Sequence, residues 1–307
     1  MSISRRSLLT ALSAAPLVSL LPRAAFAAYP DRPIRLIVPF AAGGNADLVA
    51  RIVGEGMSPS LGQSLVVENR TGAGGSIGAA AVATAAADGY TLFTGSNGPL
   101  TVNPFVQAKL PYDPLKDLVA IGLANLAPHC IVLNDSVPAK SVHDLVELSK
   151  KQQITLATSG VGSASHMTLA RFNAATGANI VHVPYRGGGA LVGDVLAGTV
   201  SGAMTEVSTL LEHHGRGKVH ILAVASSKRI PKISDVPTMI ESGVKDFTAA
   251  SYVGILAPSK TSPEIVAQLE RGSHEFASKV YVEASVSHFS KRNHGLTGGD
   301  VHELVRL

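Results

Sequence analysis

Ser76 lies in a segment that formally matches a motif for nucleophilic catalysis. Gly74-Gly75-Ser76-Ile77-Gly78 fits the G-x-S-x-G pattern, in which a serine on a sharp strand-to-helix turn attacks an ester or amide carbonyl. That turn leaves its strand directly, whereas Arg70 to Gly74 follow the predicted strand Leu65 to Glu68 before Ser76 is reached. A secreted serine hydrolase is therefore kept only as an alternative, which an assay of ester turnover would test.

Glycines around the same position also resemble a site for a dinucleotide. Gly72-Ala73-Gly74 with Gly78 is similar to the phosphate-binding fingerprint that joins a strand to a helix in dinucleotide-binding folds. That fingerprint needs a following strand that ends in an acid about 20 residues further on. The next predicted strand ends in Thr94-Gly95-Ser96, which offers no acid for a ribose. We therefore predict no nucleotide cofactor.

Four loops rich in glycine and serine suit a different chemistry, the binding of an anion. Small residues after a strand leave backbone N–H groups uncovered at a helix start, where the helix dipole favours negative charge. In open α/β sheets, ligands lie outside the carboxyl ends of the strands. Two such loops in each half of the chain predict two small domains that face each other across an anion-binding cleft. The loops are Ala41 to Asn45, Gly95 to Gly98, Thr158 to Ser163 and Pro184 to Gly189.

Histidine and cysteine do not occur at spacings that would bind a metal ion. His213 and His214 are adjacent at a predicted helix end, so their side chains face different directions. The single cysteine, Cys130, excludes an internal disulfide and a thiolate zinc site. Its apolar surroundings in the sequence favour a buried thiol over a reactive one. We predict no metal site and no cofactor.

The elements that must position these loops alternate along the chain between strands and helices, which is typical of an α/β fold. Ser141, followed three residues later by Asp144, predicts a capped helix start, and the alanine-rich segment from Ala79 to Ala87 predicts a packed helix. The predicted helices are Asn45 to Met57, Val142 to Lys151, His166 to Ala175, Leu191 to Ala197 and Pro263 to Leu269. The predicted strands are Ile34 to Pro39, Leu65 to Glu68, Tyr90 to Thr94, Val119 to Leu123, Cys130 to Leu133, Ile154 to Ala157, Ile180 to Val183, Gly202 to Thr205, Val219 to Ala225 and Tyr252 to Leu256.

Composition describes a globular body with almost no net charge. The chain has 26 basic and 22 acidic residues, but three of the basic ones, Arg5, Arg6 and Arg23, lie in the first 27 residues, which contain no acid. A nearly neutral remainder gives no reason to expect bulk nucleic-acid binding. With 46% hydrophobic and 16% charged residues, the chain can bury a large core.

The first 27 residues predict an export signal. Arg5-Arg6 precede an apolar run from Leu8 to Leu21, and Ala25-Phe26-Ala27 forms a small-x-small cleavage site. The run is shorter than the roughly 20 apolar residues that a membrane-spanning helix needs. The sequence from Ser4 to Leu9 resembles the twin-arginine export signal, although paired arginines also occur in ordinary secretory signals. We expect cleavage near Ala27 and a periplasmic mature protein.

A series of short motifs resembles the Bug-type solute receptors of tripartite tricarboxylate transporters. The resemblance covers residues 29 to about 270, and it is specific because the motifs occur in the family's order. Beyond Leu269 it fades, and the chain lacks the tryptophan that family members often carry in a further helix. The first loop also has Ala41-Ala42 where the family often has proline. The motifs are Pro39 to Asp47, Glu68-Asn69-Arg70 with Gly74-Gly75, Ala87 to Tyr90, Gly162 to His166, His182 to Gly187, Asp235 to Thr238 with Glu241 and Gly243, and Gly254 to Pro258.

The resemblance implies a type II periplasmic-binding-protein fold, in which two α/β domains are joined by two crossing strands with a ligand cleft between them. We expect domain 1 to comprise residues 29–124 plus 249–307 and domain 2 to comprise residues 125–248. The crossings would be Val119 to Leu133 and Thr248 to Pro258. The implied function is a non-catalytic, monomeric receptor that captures a small carboxylate, such as a di- or tricarboxylate, and passes it to the transporter's membrane subunits. An exported receptor that serves a sensory or another uptake system is the alternative.

With this family in view, the loops supply the candidate ligand-binding residues. Backbone N–H groups of the first loop would wrap one ligand carboxylate, while hydroxyl and amide side chains from both domains would donate to it. An acid in the first helical turn would orient an amine or a water, or would simply stabilise the helix start. An arginine would pair with a distal carboxylate, and a second acid would repel extra negative charge or accept from a ligand donor. The candidates are Phe40, Ala41, Gly43, Gly44, Asp47, Ser96, Asn97, Ser159, Ser163, Tyr185, Arg186 and Glu206.

Overall fold

The computed structural model describes the backbone of residues 29–280 and the side chains of residues 29–273. The predicted export signal, its cleavage site at Ala27 and the last part of the predicted first domain lie outside the described residues. No helix among the residues that the structure describes is both long enough and apolar enough to cross a membrane.

Within residues 29–280 the strands form two sheets that share one long strand. The order is β2-β1-β3-β9-β4 in the first sheet and β6-β5-β7-β4-β8 in the second. Strands β1 to β3 are mutually parallel, as are β5 to β7, while β9 and β4 run antiparallel to their neighbours. The strands are β1 Ile34–Val38, β2 Leu65–Asn69, β3 Thr91–Ser96, β4 Leu118–Asn134, β5 Ile154–Thr158, β6 Ile180–Pro184, β7 Gly202–Glu206, β8 Val219–Val224 and β9 Ala250–Pro258.

Strand β4 connects the two sheets without interruption. Its residues up to Pro128 pair with β9, and from His129 onward it pairs with β7 and β8. The residue pattern predicted two separate strands here, Val119 to Leu123 and Cys130 to Leu133, whereas the family resemblance implied one crossing from Val119 to Leu133. Irregular pairing near Gly122 and Asn125 and the continuous partner β9 keep the intervening segment extended.

Helices cover both faces of each sheet, which explains why the strands are apolar runs and not alternating ones. In β1, Ile34, Leu36 and Val38 pack with α1 and α8, whereas Ile37 packs on the opposite face with α2. Helices α4 and α5 cover one face of the second sheet, and α6 and α7 cover the other. The helices are α1 Asn45–Leu61, α2 Ser76–Ala83, α3 Asn103–Val106, α4 Val142–Lys151, α5 Ala164–Thr176, α6 Gly188–Ala197, α7 Val207–Leu210 and α8 Pro263–Val280.

Several helix boundaries differ from the sequence prediction, while the capped start of α4 is confirmed. Ser141 Oγ accepts from the Asp144 N–H at 3.1 Å. Helix α2 ends at Ala83, short of the predicted Ala87, although alanine favours helix throughout this segment. Helices α5 and α6 begin earlier than predicted, directly at their loops, so their first turns reach the space between the sheets. The predicted buried state of Cys130 is also confirmed, since the side chain is fully enclosed.

Candidate functional site: the cleft between the two sheets

A cavity of about 20 Å³ lies between the two sheets, at the ends of the strands that the glycine-rich loops follow. Both halves of the chain contribute to its wall, and the polar groups are mainly hydroxyls and backbone. This volume holds little more than one water molecule, so the cleft is closed around its centre. The lining residues are Phe40, Gly44, Asn45, Ala46, Ser96, Ser159, Ser163, Ala164, Gly188, Glu206, Ser251, Tyr252 and Val253.

Three helices begin at this cavity. The first residues of α1, α5 and α6, namely Asn45, Ala164 and Gly188, all line it. The first N–H groups of a helix have no intrahelical acceptor, and the helix dipole places partial positive charge there. Because the three helices come from both halves of the chain, the closed cleft concentrates donors suited to a carboxylate.

The first loop is held in shape by Asp47. Its buried carboxylate accepts from the Gly43 N–H at 3.0 Å, from Asn69 Nδ2 at 3.0 Å and from Arg51 at 3.0 and 3.1 Å. Burial opposes ionisation, but the bonds from Arg51, Gly43 and Asn69 outweigh it and lower the pKa of Asp47 below its usual value. Asp47 and Gly43 therefore position the loop and do not line the cavity. Of the two roles weighed for Asp47, the structure favours the local one.

Helix α1 begins at Asn45, as predicted, and Gly44 is its N-cap residue. Gly44 has φ −87° and ψ 173°, an extended conformation that any residue adopts. What restricts this position is close approach, since a Cβ atom on Gly44 would lie 2.9 Å from the backbone N of Gly189. Glycine is thus needed where the first loop meets the start of α6.

Contacts across the cleft use groups that were predicted to bind ligand. The Ala41 N–H donates to the Arg186 carbonyl at 2.9 Å, so it is not free for a carboxylate in this closed arrangement. Ser208 Oγ also donates to Asn45 Oδ1 at 3.0 Å. A Cβ on Gly189 would lie 1.9 Å from the Ala42 carbonyl oxygen. The two halves therefore touch through backbone and small side chains.

In the second loop, only one of the two predicted donors reaches the cavity. Ser96 is buried and lines it. Asn97 instead bonds to β9, since its Oδ1 accepts from the Tyr252 N–H at 3.0 Å and its Nδ2 donates to the Ala250 carbonyl at 3.4 Å. Asn97 therefore fixes β9 beside the site and does not face the ligand space.

On the facing side, Ser159 and Ser163 both line the cavity. Ser163 Oγ also caps α5 by accepting from the His166 N–H at 3.2 Å. Behind this loop the rings of His166 and His182 stack with centroids 4.0 Å apart. His182 Nε2 lies 2.6 Å from Thr158 Oγ1, and the Gly162 N–H donates to His166 Nδ1 at 3.2 Å. The histidine pair thus supports the loop from outside the site.

Tyr185 and Arg186 lie at the mouth of the cleft and not at its centre. With Gly72 to Gly75 and Val161 they line an outer, open cavity of about 300 Å³ that shares Phe40 and Ser159 with the inner one. The Tyr185 hydroxyl donates to Asp194 Oδ2 at 2.5 Å, and burial together with Asp194 raises its pKa to about 12. The expected ligand contact by the Tyr185 hydroxyl is therefore not formed in this arrangement, because Asp194 holds it.

Glu206 faces the inner cavity from the end of β7, as the sequence predicted from its place after a strand. Its Oε1 accepts from Ser251 Oγ at 2.7 Å, and its Oε2 accepts from Thr205 Oγ1 at 3.2 Å. Ser251 is in turn 2.8 Å from His129 Nε2, and His129 Nδ1 is 2.7 Å from Thr168 Oγ1. This chain of side chains links β7 to β9 and β4, the two strands that cross between the sheets.

The nucleophile-elbow geometry is absent at Ser76. A short helical turn, Ala73–Gly75, separates β2 from α2, and Ser76 is the buried first residue of that helix. Its partners in the described part of the chain are Asn103, whose Nδ2 donates at 2.8 Å, and the Tyr112 hydroxyl, not a histidine. The arrangement holds the serine as a structural acceptor.

Sequence reasoning missed part of the wall. Ser251, Tyr252 and Val253 line the cavity from β9, which follows no glycine-rich loop and reaches the site because it pairs with β3 on one side and β4 on the other. Asn45, Ala46, Ala164 and Gly188 also line the cavity, and none of the four was among the predicted ligand-binding residues. The signal that could have identified these four is their position in the first turn after a predicted anion-binding loop.

Comparison with known proteins agrees with this architecture. Residues 49–287 match the family TctC, described as "Tripartite tricarboxylate transporter family receptor", so the match continues past Leu269, where the motifs fade. Protein BugT of Bordetella pertussis is 39% identical over 260 residues, which cover 83% of this chain and 80% of BugT.

Two solved structures are similar over most of both chains. The periplasmic binding protein BugD has 32% identity and a TM-score of 0.83, with 91% of this chain and 94% of BugD covered. MatC from Rhodopseudomonas palustris with bound malate has 28% identity and a TM-score of 0.81, with 91% and 96% covered. The predicted two-domain periplasmic-binding-protein fold is confirmed, and the chain belongs to the family of tripartite tricarboxylate transporter receptors.

Proposed function

We propose that this chain is a periplasmic receptor that captures a small carboxylate in the cleft and delivers it to the membrane subunits of a tripartite tricarboxylate transporter. The single observation that carries the proposal is the meeting of three helix starts, those of α1, α5 and α6, at one small cavity between the sheets. Such a site favours an anion through backbone donors and helix dipoles. The malate bound in the structure of MatC supports the ligand class.

The proposed domain division assigns residues 29–124 plus 249–307 to domain 1 and residues 125–248 to domain 2, with β4 and β9 as the hinge. In support, β4 and β9 pair with each other along the crossing, and the Ala41 N–H meets the Arg186 carbonyl across the cleft through backbone alone. A hinge of two adjacent strands lets the domains separate without breaking either core. Ligand would enter the opened cleft and then be enclosed.

The ligand-binding residues that we propose face the inner cavity: Phe40, Gly44, Ser96, Ser159, Ser163 and Glu206. Ala41, Gly43, Asp47, Asn97 and Tyr185 act by holding the walls, and Arg186 is placed at the cleft mouth to meet an extended ligand. A thermal-shift and calorimetry screen of small carboxylates on the mature protein tests this assignment. At 100 times its Kd, a bound acid should stabilise the fold by about 2.7 kcal/mol. If no small carboxylate stabilises the protein or releases heat, the proposal fails.

Delivery to membrane subunits is a separate part of the proposal. In vesicles that contain the large and small membrane subunits of its transporter, uptake of the bound acid should require the receptor. A receptor that binds the acid but leaves uptake unchanged would instead favour the sensory alternative.

Export by the twin-arginine route is proposed from Arg5-Arg6, which lie outside the described residues. Replacing both with lysine keeps the charge but should leave unprocessed precursor in the cytoplasm, as fractionation and immunoblotting would measure. Normal processing of the double-lysine variant would show that the general secretory route is used.

A further inference from the structure

We propose that Glu206 selects ligands that carry a protonated amine beside their carboxylate, so that the captured solute is an amino-acid-type zwitterion and not a plain carboxylate. This inference rests on the proposed function and specifies the substrate class of that same cleft. It is argued from the position, partners and charge of a single side chain.

Glu206 is almost enclosed, with 8% of its surface exposed, and it lines the inner cavity. Two hydroxyls donate to it, Ser251 Oγ to Oε1 and Thr205 Oγ1 to Oε2. An ionised carboxylate offers about four acceptor positions, so two remain after these bonds. A ligand donor that enters the cavity can occupy them.

Among the described residues, no lysine or arginine nitrogen lies within 4.0 Å of this carboxylate. The one titratable nitrogen within that distance is His129 Nε2, at 4.0 Å from Oε1. His129 is fully buried, and that burial lowers its pKa below the usual value, while its ring reaches Glu206 through the Ser251 hydroxyl. Glu206 is also the one charged side chain among the residues that line the inner cavity within the described part of the chain.

A buried carboxylate that no cation contacts within hydrogen-bond distance is unfavourable, and a ligand ammonium would relieve this cost. The same cavity receives the starts of α1, α5 and α6, which favour negative charge. The wall therefore combines a positive region made by helix ends with one fixed negative group. This distribution matches a molecule that carries both a carboxylate and an ammonium, whereas a second ligand carboxylate beside Glu206 would be repelled.

The test uses matched acids that share a carbon skeleton and differ only in the amine. Alanine and propionate, aspartate and succinate, and glutamate and glutarate form such pairs, and malate places a neutral hydroxyl where aspartate has its amine. Calorimetry on the wild type should show at least one amino acid that binds about tenfold or more tightly than its amine-free counterpart, a difference of about 1.4 kcal/mol.

The variant Glu206→Gln keeps the shape of the side chain and removes its charge. It should weaken binding of that amino acid by at least about tenfold and reduce the preference within the pair to about threefold or less. Glu212→Gln is the matched control, because it removes the same charge from an exposed position, 69% exposed, outside the cleft. Its affinities should equal those of the wild type.

Several results would overturn the inference. If amine-free acids bind the wild type as tightly as their amino counterparts, the inference fails and the proposed function stands. The same holds if the affinity for malate equals that for aspartate. A preference for the amine that survives in Glu206→Gln would place the selecting group elsewhere. If Glu206→Gln does not fold, Glu206→Asp, which retains the charge on a shorter side chain, should still prefer the amino acid. Failure of every acid in both sets would overturn the proposed function together with this inference.

Discussion

Gly44 illustrates how single residues determine what the cleft can do. Gly44 is the N-cap residue of α1 and lines the cavity. Because it has no side chain, the start of α6 can approach closely, whereas a Cβ atom would collide with the Gly189 backbone. Its extended backbone needs no glycine, so the small residue serves closure and ligand approach and not local conformation.

Gly44→Asp should therefore weaken carboxylate binding strongly without unfolding the protein. Two negative charges about 4 Å apart repel by roughly 4 kcal/mol at an effective dielectric of 20, and the new Cβ also opposes closure. We expect calorimetry to show a loss of affinity of at least about a hundredfold. The helix should persist, because aspartate is a favourable N-cap residue.

Gly193→Asp is the control for the glycine-to-aspartate change. Gly193 is in α6, and a Cβ there meets nothing within 4 Å, so its affinity should match the wild type. A folded Gly44→Asp protein that binds within about threefold of the wild type would show that the anion lies elsewhere in the cleft.

His182 should make stability depend on pH. Burial, with a smaller contribution from the neighbouring His166, lowers the pKa of His182 from 6.5 to about 4, so the folded state favours the neutral ring. The unfolded chain then binds more protons between these values, and stability is present above about pH 6.5 and is lost as the pH falls towards 4. Protonation of His166 would also remove the acceptor of the Gly162 N–H.

His182→Gln should reduce this dependence. When the pH is lowered from 6.5 to 4.5, the unfolding temperature should fall in both proteins. We expect the fall in the wild type to exceed that in the variant by about 2 °C or more. His143→Gln, a change at an exposed histidine of α4, should leave the wild-type profile unaltered. Parallel profiles for the wild type and His182→Gln would contradict the argument.

At the scale of elements, hydrogen bonds within the protein fix the loop that connects β1 to α1. Asp47, one turn into α1, accepts from the loop at Gly43 and from β2 at Asn69, while Arg51 on the next turn completes the set. The helix start is thereby tied to the strands whose loop faces the ligand. The conformational entropy of ordering this loop is therefore lost when the protein folds and not when the ligand binds.

Asp47→Ala should therefore reduce both stability and affinity. The side chain is 5% exposed, and removing it takes an acceptor from the Gly43 N–H, from Asn69 Nδ2 and from Arg51, which costs about 1–3 kcal/mol of the free energy of unfolding. Urea unfolding and calorimetry would measure the two effects. Arg51→Ala removes a 55% exposed partner and should cost about 1 kcal/mol or less. Equal losses in the two variants would show that Asp47 acts mainly through Arg51.

At the scale of the whole molecule, the described structure is a closed state. A cavity of about 20 Å³ is too small for an organic acid, so the sheets must separate to admit one. The cores on the two sides are distinct clusters, so separation around β4 and β9 would expose little apolar surface. We expect ligand to shift an open population towards a closed arrangement in which the two halves meet around it.

X-ray scattering should accordingly show a smaller radius of gyration when a bound carboxylate saturates the protein. Gly189→Val places a side chain where the Cβ alone would lie 1.9 Å from the Ala42 carbonyl oxygen, so this variant should keep the larger radius with or without ligand. Gly193→Val, in open space on the same helix, should close as the wild type does. A radius that ligand leaves unchanged in the wild type, with binding verified by calorimetry, would argue against closure.

Much of the local structure follows from the sequence because it depends on near neighbours. Apolar runs between glycine-rich turns predicted the strands, and Ser141 with Asp144 predicted the start of α4. The small residues from Ala41 to Asn45 and from Thr158 to Ser163 indicated loops open to an anion. The order of the motifs indicated the family and, through it, the fold.

Only the tertiary structure decided which groups face the ligand space. Asp47, Asn97 and Tyr185 have side chains suited to a ligand, but each is held by a partner that folding brings close. Ser251 is remote from the loops in sequence, yet pairing of β9 with β4 places it against Glu206. Sequence specifies the hydrogen-bonding capacity of a side chain, whereas its partner depends on distances between residues far apart in the chain. For that reason six of the twelve predicted candidates line the inner cavity, while contacts that the sequence does not show keep the other six from it.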